Sequence, residues 1–341
     1  KEYRNDRKTE IQEKVADIKI NTDVIVPDED VIVLVSHDGY IKRSSIRSFT
    51  ASSDESGLKD EDYAIFTEKV NARDHLFMFT NKGNLIYRPV FEITDVKWKD
   101  TGEHISQTIG LDSDEEIIAS YSFTSLKEVG CFLIATDDGY IKRVNFDDLT
   151  PGRTYKKHAY TYIKMKAAES RVVSVDFIDD NETKKELLLT SKMGLALRFA
   201  IEEVSTYGAR TTGVKSMNLK DDDRVANLAI VQDNDVLGFI TQRGSFKKLA
   251  VSEVSATSRA RRGVNILREL KREPHRIVDF TVLKSEDSPL EVITDRRKFH
   301  DIIPSDYSLG GRYSNGSFVV DVTTEGTPVI IRQKPEEISL N

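Results

Sequence analysis

The side chains best able to do chemistry in this sequence are cations that recur at one place. Lys42 and Arg43, Lys142 and Arg143, Arg198, and Lys247 and Lys248 each follow a tight turn by three or four residues. A second cluster, Thr257–Arg276, sets seven Arg and Lys, among them Arg259, Arg261 and Arg262, against two Glu, a local charge of +5. Arg296, Arg297 and Lys298 form a third group, whereas acids gather elsewhere, at Asp54–Asp62, Asp112–Glu116 and Asp221–Asp223. Such a pattern offers neutralisation of phosphates: each cation set against a polyanion releases counterions, and the contact carries no base information. The net charge of −7 argues against general polyanion affinity. Segregation rather than total charge would have to do the binding. On composition alone the plainer alternative, that 31% charged residues simply solvate a surface, stays open.

Other chemistries lack their residues. There is no phosphate-binding G-x-x-x-x-G-K-[ST] loop, no HExxH or CxxC spacing and no G-x-S-x-G elbow. Six histidines stand singly at 37, 75, 104, 158, 275 and 300, and adjacent acids such as Asp137–Asp138 read as solvated loops. The sequence predicts no catalytic residue, metal site or cofactor within this chain. The one cysteine, Cys131, lies in an apolar run and reads as a core residue of a reducing compartment. No apolar run approaches the roughly 18 residues of a membrane span.

The cations need elements to position them, and the repeat supplies these. Six times a short apolar run meets a hydroxyl residue, a tight turn and a second strand: Val31–Arg43, His75–Tyr87, Cys131–Arg143, Glu186–Arg198, Val236–Lys248 and Leu290–Asp301. The turn residues Gly39, Gly83, Gly139, Gly194, Gly244 and Arg297 are 44, 56, 55, 50 and 53 residues apart. Three positions before each stands Ser36, Thr80, Thr136, Ser191, Thr241 or Thr294, a side chain able to bond the turn backbone. Glycine supplies the positive φ of a hairpin turn, so Arg297 predicts a sixth turn of different shape. Apolar stretches between hairpins (Ile117–Phe123, Val172–Ile178, Val225–Val231, Ile277–Leu283) raise each copy to about four strands. The expected fold is all-β, a propeller-like ring of six four-stranded blades over 15–341.

Residues Lys1–Lys14 read as a connecting helix or frayed tail of something longer, and Val15–Ile20 and Val24–Val26 as strands. Ser317–Val322 and Pro328–Arg332 are expected to pair with those strands and close the ring. Tyr40 and Tyr140 are expected to pack on neighbouring blades. Trp98 could be an exposed contact or a blade-edge anchor.

The strings Ser36–Arg43 (SHDGYIKR), Gly213–Leu219 (GVKSMNL) and Arg261–Phe280 (RRGVNILRELKREPHRIVDF) resemble the C-terminal DNA-binding domain of bacterial type IIA topoisomerase A subunits, over nearly the whole chain from about Val15. The resemblance implies a six-bladed β-pinwheel, with strands exchanged between neighbouring blades, whose basic outer rim captures or bends double-stranded DNA. It implies that Lys42, Arg43, Lys142, Arg143, Arg198, Lys247, Lys248, Arg259, Arg261, Arg262 and Arg296 contact successive phosphates. Gyrase-type members carry a Q-R-R-G-G-[KR]-G box after the first hairpin. Here Phe49–Tyr63 has no arginine there, and the nearest substitute, Ser258–Val264 (SRARRGV), has a single glycine. The chain therefore resembles the topoisomerase IV branch, which uses the domain to steer decatenation and supercoil relaxation. The cleavage tyrosine, ATP and Mg²⁺ would then belong to other parts of a complex that holds the topoisomerase IV B subunits and a second copy of the A subunit. The fragment itself is expected to be monomeric, in a nucleoid-associated cytoplasmic enzyme. A gyrase-like wrapping domain, a propeller used as a protein-interaction scaffold and a propeller enzyme with an axial site are the rival readings. The turn residues His37, Lys82, Asp137, Met193 and Arg243 do not offer the convergent ligands that the last would need.

Overall fold

A computed structural model describes residues 26–340 apart from 53, 54, 180, 183, 185 and 221. The predicted tail 1–14 and the strands at Val15–Ile20 and Val24–Ile25 lie outside the described residues.

Each repeat folds as predicted at its hairpin. In the first, Asp30–Ser36 pairs antiparallel with Tyr40–Ser45, and Ala64–Asn71 adds to the other side of Asp30–Ser36. The turn hydroxyl works identically in all six copies: it accepts from the backbone N–H four residues on. The distances run from 2.9 Å (Tyr40 N to Ser36 Oγ) to 3.2 Å (Lys298 N to Thr294 Oγ1). The sixth turn departs from expectation. Arg297 takes a left-handed φ of 54° and donates its N–H to Thr294 O at 2.9 Å, so the turn keeps the shape of the glycine copies. A side chain in that region is uncommon and carries a small strain.

Five sheets have four strands and the sixth has three among the described residues. The innermost strands, Ala64–Asn71, Ile117–Phe123, Val172–Asp179, Val225–Val231, Ile277–Val282 and Pro328–Gln333, line an axial cavity of about 680 Å³. The outermost strand of each four-stranded blade is exchanged. Glu103–His104, which follows the second hairpin, pairs with Tyr40–Ile41 of the first blade. In the same way Tyr160–Thr161, Val214–Lys215, Val264–Asn265 and Ser317–Phe318 each complete the blade before their own. Ser317–Phe318 pairs with Ser245–Phe246 in the fifth blade and Pro328–Gln333 with Leu290–Thr294 in the sixth; the N-terminal strands with which they were expected to pair lie outside the described residues.

The apolar core lies between blades. Val33, Ile41, Met78 and Ile86 join the first two, and Ile240, Phe246, Leu290 and Val292 the last two, with equivalent clusters between. Burial of such side chains contributes about 1.5–3 kcal/mol each. Cys131 is half-buried rather than in the core.

The junction of sixth and first blades differs in chemistry. The Arg297 guanidinium lies 4.9 Å from the centre of the Tyr63 ring and 3.9 Å from Asp38. Arg332 donates to Ala64 O at 2.6 Å. The first blade's remaining apolar face, Ile32, Leu34 and Trp98, is covered by Phe49 and Leu58 of its own loop and by Ile338 from the C-terminal stretch.

Candidate nucleic-acid interface

Strand exchange sets the outer edge of the ring, because each exchanged strand is the edge farthest from the axis. Four of these strands begin on a glycine in the left-handed region: Gly102, Gly213, Gly263 and Gly316. A Cβ there would lie 2.0–2.5 Å from a backbone oxygen of the preceding blade, so only glycine lets the chain approach. The backbone just before each glycine loops outward.

The predicted rim lysines hold these loops instead of facing outward. Lys42, Lys142 and Lys247 are at most 2% exposed. Lys142 Nζ donates to the carbonyl oxygens of Gly208 (3.1 Å), Ala209 (2.7 Å) and Thr211 (3.0 Å), all in the next blade's loop. Lys247 donates to Ile266, Arg312 and Ser314, and Lys42 to Ser56, Trp98 and Asp100, the oxygens again preceding the exchanged strand in most cases. Burial pushes each of these ammonium groups down to about 8, against a smaller opposing pull from Asp100, Asp148 and Glu253 respectively. Trp98, under the Lys42 ammonium at 4.4 Å, is a blade anchor and not a surface contact. Tyr40 packs edge-on against His104 of the exchanged strand, as expected.

Two more predicted contacts are spent internally. Arg198 is ion-paired to Glu186 and Asp233, and Lys248 to Glu286, with each cation about 5% exposed. These five therefore correct the expected rim. The cause is readable afterwards: the position three after the turn is Ile86 in the second copy and Leu197 in the fourth, both core residues. That position faces the neighbouring blade, and a lysine there needs carbonyls in place of water.

Arg43, Arg143 and Arg259 are half-buried. Arg143 donates to Val204 O at 2.6 Å, and Arg259 to Lys215 O at 2.6 Å. Arg261, Arg262 and Arg296 are exposed, although Arg296 leans on Thr323 O and Thr324 O at 3.1 Å.

Of the exposed cations of the outer edge, only Arg261 and Arg262 were expected from the sequence; the others were not. Lys97 and Lys99 sit in the first exchanged loop, Arg153, Lys156 and Lys157 in the second, and Arg210 and Lys215 in the third. Arg261 and Arg262 sit in the fourth. Residues 150–161, 205–215, 255–265 and 308–318 contain no acid, whereas 94–104 contains Asp95, Asp100 and Glu103. Their signal was a cation close to a short strand that recurs out of phase with the hairpins, entered through a glycine in every loop but the second. The loops are tied into one band: Lys164 N–H donates to Thr211 O (3.1 Å), Asn218 N–H to Arg261 O (2.8 Å) and Arg268 N–H to Asn315 Oδ1 (2.9 Å). The band is a continuous cationic strip over the edges of the second to fifth blades; its loops hold no acid of their own, although Glu92 pairs with Lys156 at 3.0 Å and Glu203 accepts from the Arg259 N–H at 2.8 Å. It suits a phosphate backbone and presents no convergent catalytic groups.

Comparison with known proteins agrees with this architecture. Residues 30–59, 74–122, 132–154, 185–232 and 236–284, more than half of the chain, match the family described as DNA gyrase C-terminal domain, beta-propeller. The A subunit of DNA topoisomerase 4 from Streptococcus pyogenes serotype M1 is 38% identical over 354 residues, covering 98% of this chain and 42% of the relative. Its counterpart of the same name from Bacillus subtilis (strain 168) is 38% identical over 329 residues, covering 96% and 40%. The chain thus spans about two-fifths of the length of these relatives. A crystal structure of the C-terminal domain of DNA topoisomerase IV superposes with a TM-score of 0.82 at 38% identity, covering 90% of this chain and 94% of that one. A DNA gyrase A C-terminal domain, at 24% identity and TM-score 0.66 over 89% and 99%, shares the fold. With its repeats, exchanged strands and matched segments, the chain belongs to the gyrase A C-terminal β-propeller family, in which it is similar to the C-terminal domain of the topoisomerase IV A subunit.

Proposed function

We propose that this domain captures duplex DNA on the strip of exchanged loops and bends it around the second to fifth blades, without taking part in bond chemistry. The observation that carries the reading is the acid-free run of four exposed loops, joined edge to edge, on a chain of net charge −7. Arg153, Lys156, Lys157, Arg210, Lys215, Arg261 and Arg262 are the phosphate contacts, and Arg143 and Arg259 support the loops that carry them. In a topoisomerase IV-type complex of two A and two B subunits, such a domain would present curved or crossed DNA to a cleavage site elsewhere. ATP and Mg²⁺ would serve those other parts. On this reading the protein works on chromosomal DNA in the cytoplasm.

The test is a salt titration of binding to a linear duplex of about 40 base pairs and to relaxed plasmid, with linking number read after ligation. Arg261→Ala with Arg262→Ala should lower affinity and flatten the slope of log K against log salt by about 1.8, two contacts at about 0.9 each. Relaxed plasmid should keep its linking number. No binding by the wild-type chain at low salt would overturn the reading in favour of a protein scaffold, and strong chiral wrapping would move it toward a gyrase-like role.

A further inference from the structure

The fifth exchanged loop, 308–318, differs from the others. It carries one cation, Arg312, and three exposed apolar side chains, Leu309 (56%), Tyr313 (66%) and Phe318 (65%). Leu309 and Tyr313 flank Gly310 and Gly311 and line one groove with Arg268 and Leu270. The Arg312 guanidinium lies 5.5 Å from the Tyr313 ring and bonds its hydroxyl at 3.2 Å. The Arg268 backbone is held at the groove by a reciprocal pair of bonds with the Asn315 side chain, at 2.9 and 3.0 Å, and its side chain is exposed. Glu253 and Asp306 are the acids at the margins.

We infer that Leu309 and Tyr313 form a wedge that enters the minor groove of bound duplex DNA and partly unstacks one base step, kinking the DNA at the end of the cationic strip. The inference rests on the DNA-binding reading above and adds a second kind of contact to it. Phosphate contacts along the strip spread the bend over many base steps, and that bending is resisted by the stiffness of the duplex. An apolar side chain inserted between base pairs, with cations beside it to take the adjoining phosphates, localises that bend at one step. This loop supplies that combination: large exposed rings and branches, two flanking guanidinium groups, no acid of its own, and a position where the strip ends. Pyrimidine–purine steps, which unstack most readily, are the favoured sites.

The experiment uses the whole chain and a duplex of about 40 base pairs with a central TA step, the adenine replaced by 2-aminopurine and the ends labelled for energy transfer. Wild-type protein should raise the 2-aminopurine fluorescence and shorten the end-to-end distance. Leu309→Ser with Tyr313→Ala should abolish the fluorescence rise, relax the bend and lower affinity about tenfold. The salt slope should be unchanged, because no phosphate contact is lost. Both side chains are exposed, so the melting temperature should not move. Equal 2-aminopurine signal and bend in wild type and variant would overturn the wedge while leaving strip binding intact. So would a change confined to self-association, which would assign the patch to a second copy of the chain. Failure of the DNA-binding reading looks different, since wild type would then not bind at low salt.

Discussion

Lys142 Nζ lies 2.7 Å from the carbonyl oxygen of Ala209, so a side chain of the third blade closes the loop of the fourth. A post-turn cation of this kind serves blade-to-blade cohesion, and its replacement should be read first as a stability change. Lys142→Met, similar in length and without charge, leaves three carbonyls short of a donor. Urea unfolding should show a loss of about 3 kcal/mol. Lys142→Glu should be worse, so it is no test of DNA contact. An unchanged midpoint for Lys142→Met would mean that the lysine does not hold the loop.

The strand-entry glycines predict a sharp contrast between two nearby positions. Gly213 has φ +88° and its Cβ would meet Ile141 O at 2.4 Å, whereas a Cβ at Gly208 would meet nothing within 4 Å. Gly213→Ala should cost about 2–4 kcal/mol and expose 205–215 to limited proteolysis, while Gly208→Ala should stay within about 0.5 kcal/mol. Equal melting temperatures for the two variants would contradict the account of strand exchange.

The polar seam between first and sixth blades should be the point at which the ring loosens. Arg297→Gly keeps the left-handed turn while removing the guanidinium from Tyr63 and Asp38. Hydrogen exchange should rise along Leu290–Thr294 and Pro328–Gln333 but not across the apolar junctions. A uniform rise around the ring would argue against a local seam.

Asp176, in the wall of the axial cavity, gives a pH signature. Burial pushes its carboxyl up to about 6, opposed by the Ser174 hydroxyl at 2.5 Å. Between an unfolded value of about 4 and this folded value, the native state holds the extra proton. This group's contribution to stability is therefore full below about pH 4 and is lost as pH rises through 6. Asp176→Asn should raise stability at pH 7–8 by about 1–2 kcal/mol, the cavity water screening part of the shift, and change little at pH 4. A variant stabilised equally at both pH values would show that the carboxyl is not held protonated.

Local chemistry was legible in the sequence. The hairpin, its hydroxyl-bonded turn, the count of six and the outline of the blades depend on neighbours within about 13 residues, and these recur in plain view. Even so, a local rule failed at Arg297, which takes a glycine's conformation while its guanidinium meets Tyr63 and Asp38 of the first blade. What only the tertiary structure decided is which cations meet water. Lys42, Lys142 and Lys247 differ from a free rim lysine only in the carbonyls that surround them, mostly supplied by loops some 60 residues away. Arg210, Arg261 and Arg262 face outward because the exchanged strand beside them is the edge of a neighbour's sheet. Burial depends on which chain segments meet, and strand exchange separates those segments too far in sequence for spacing alone to reveal the pairing.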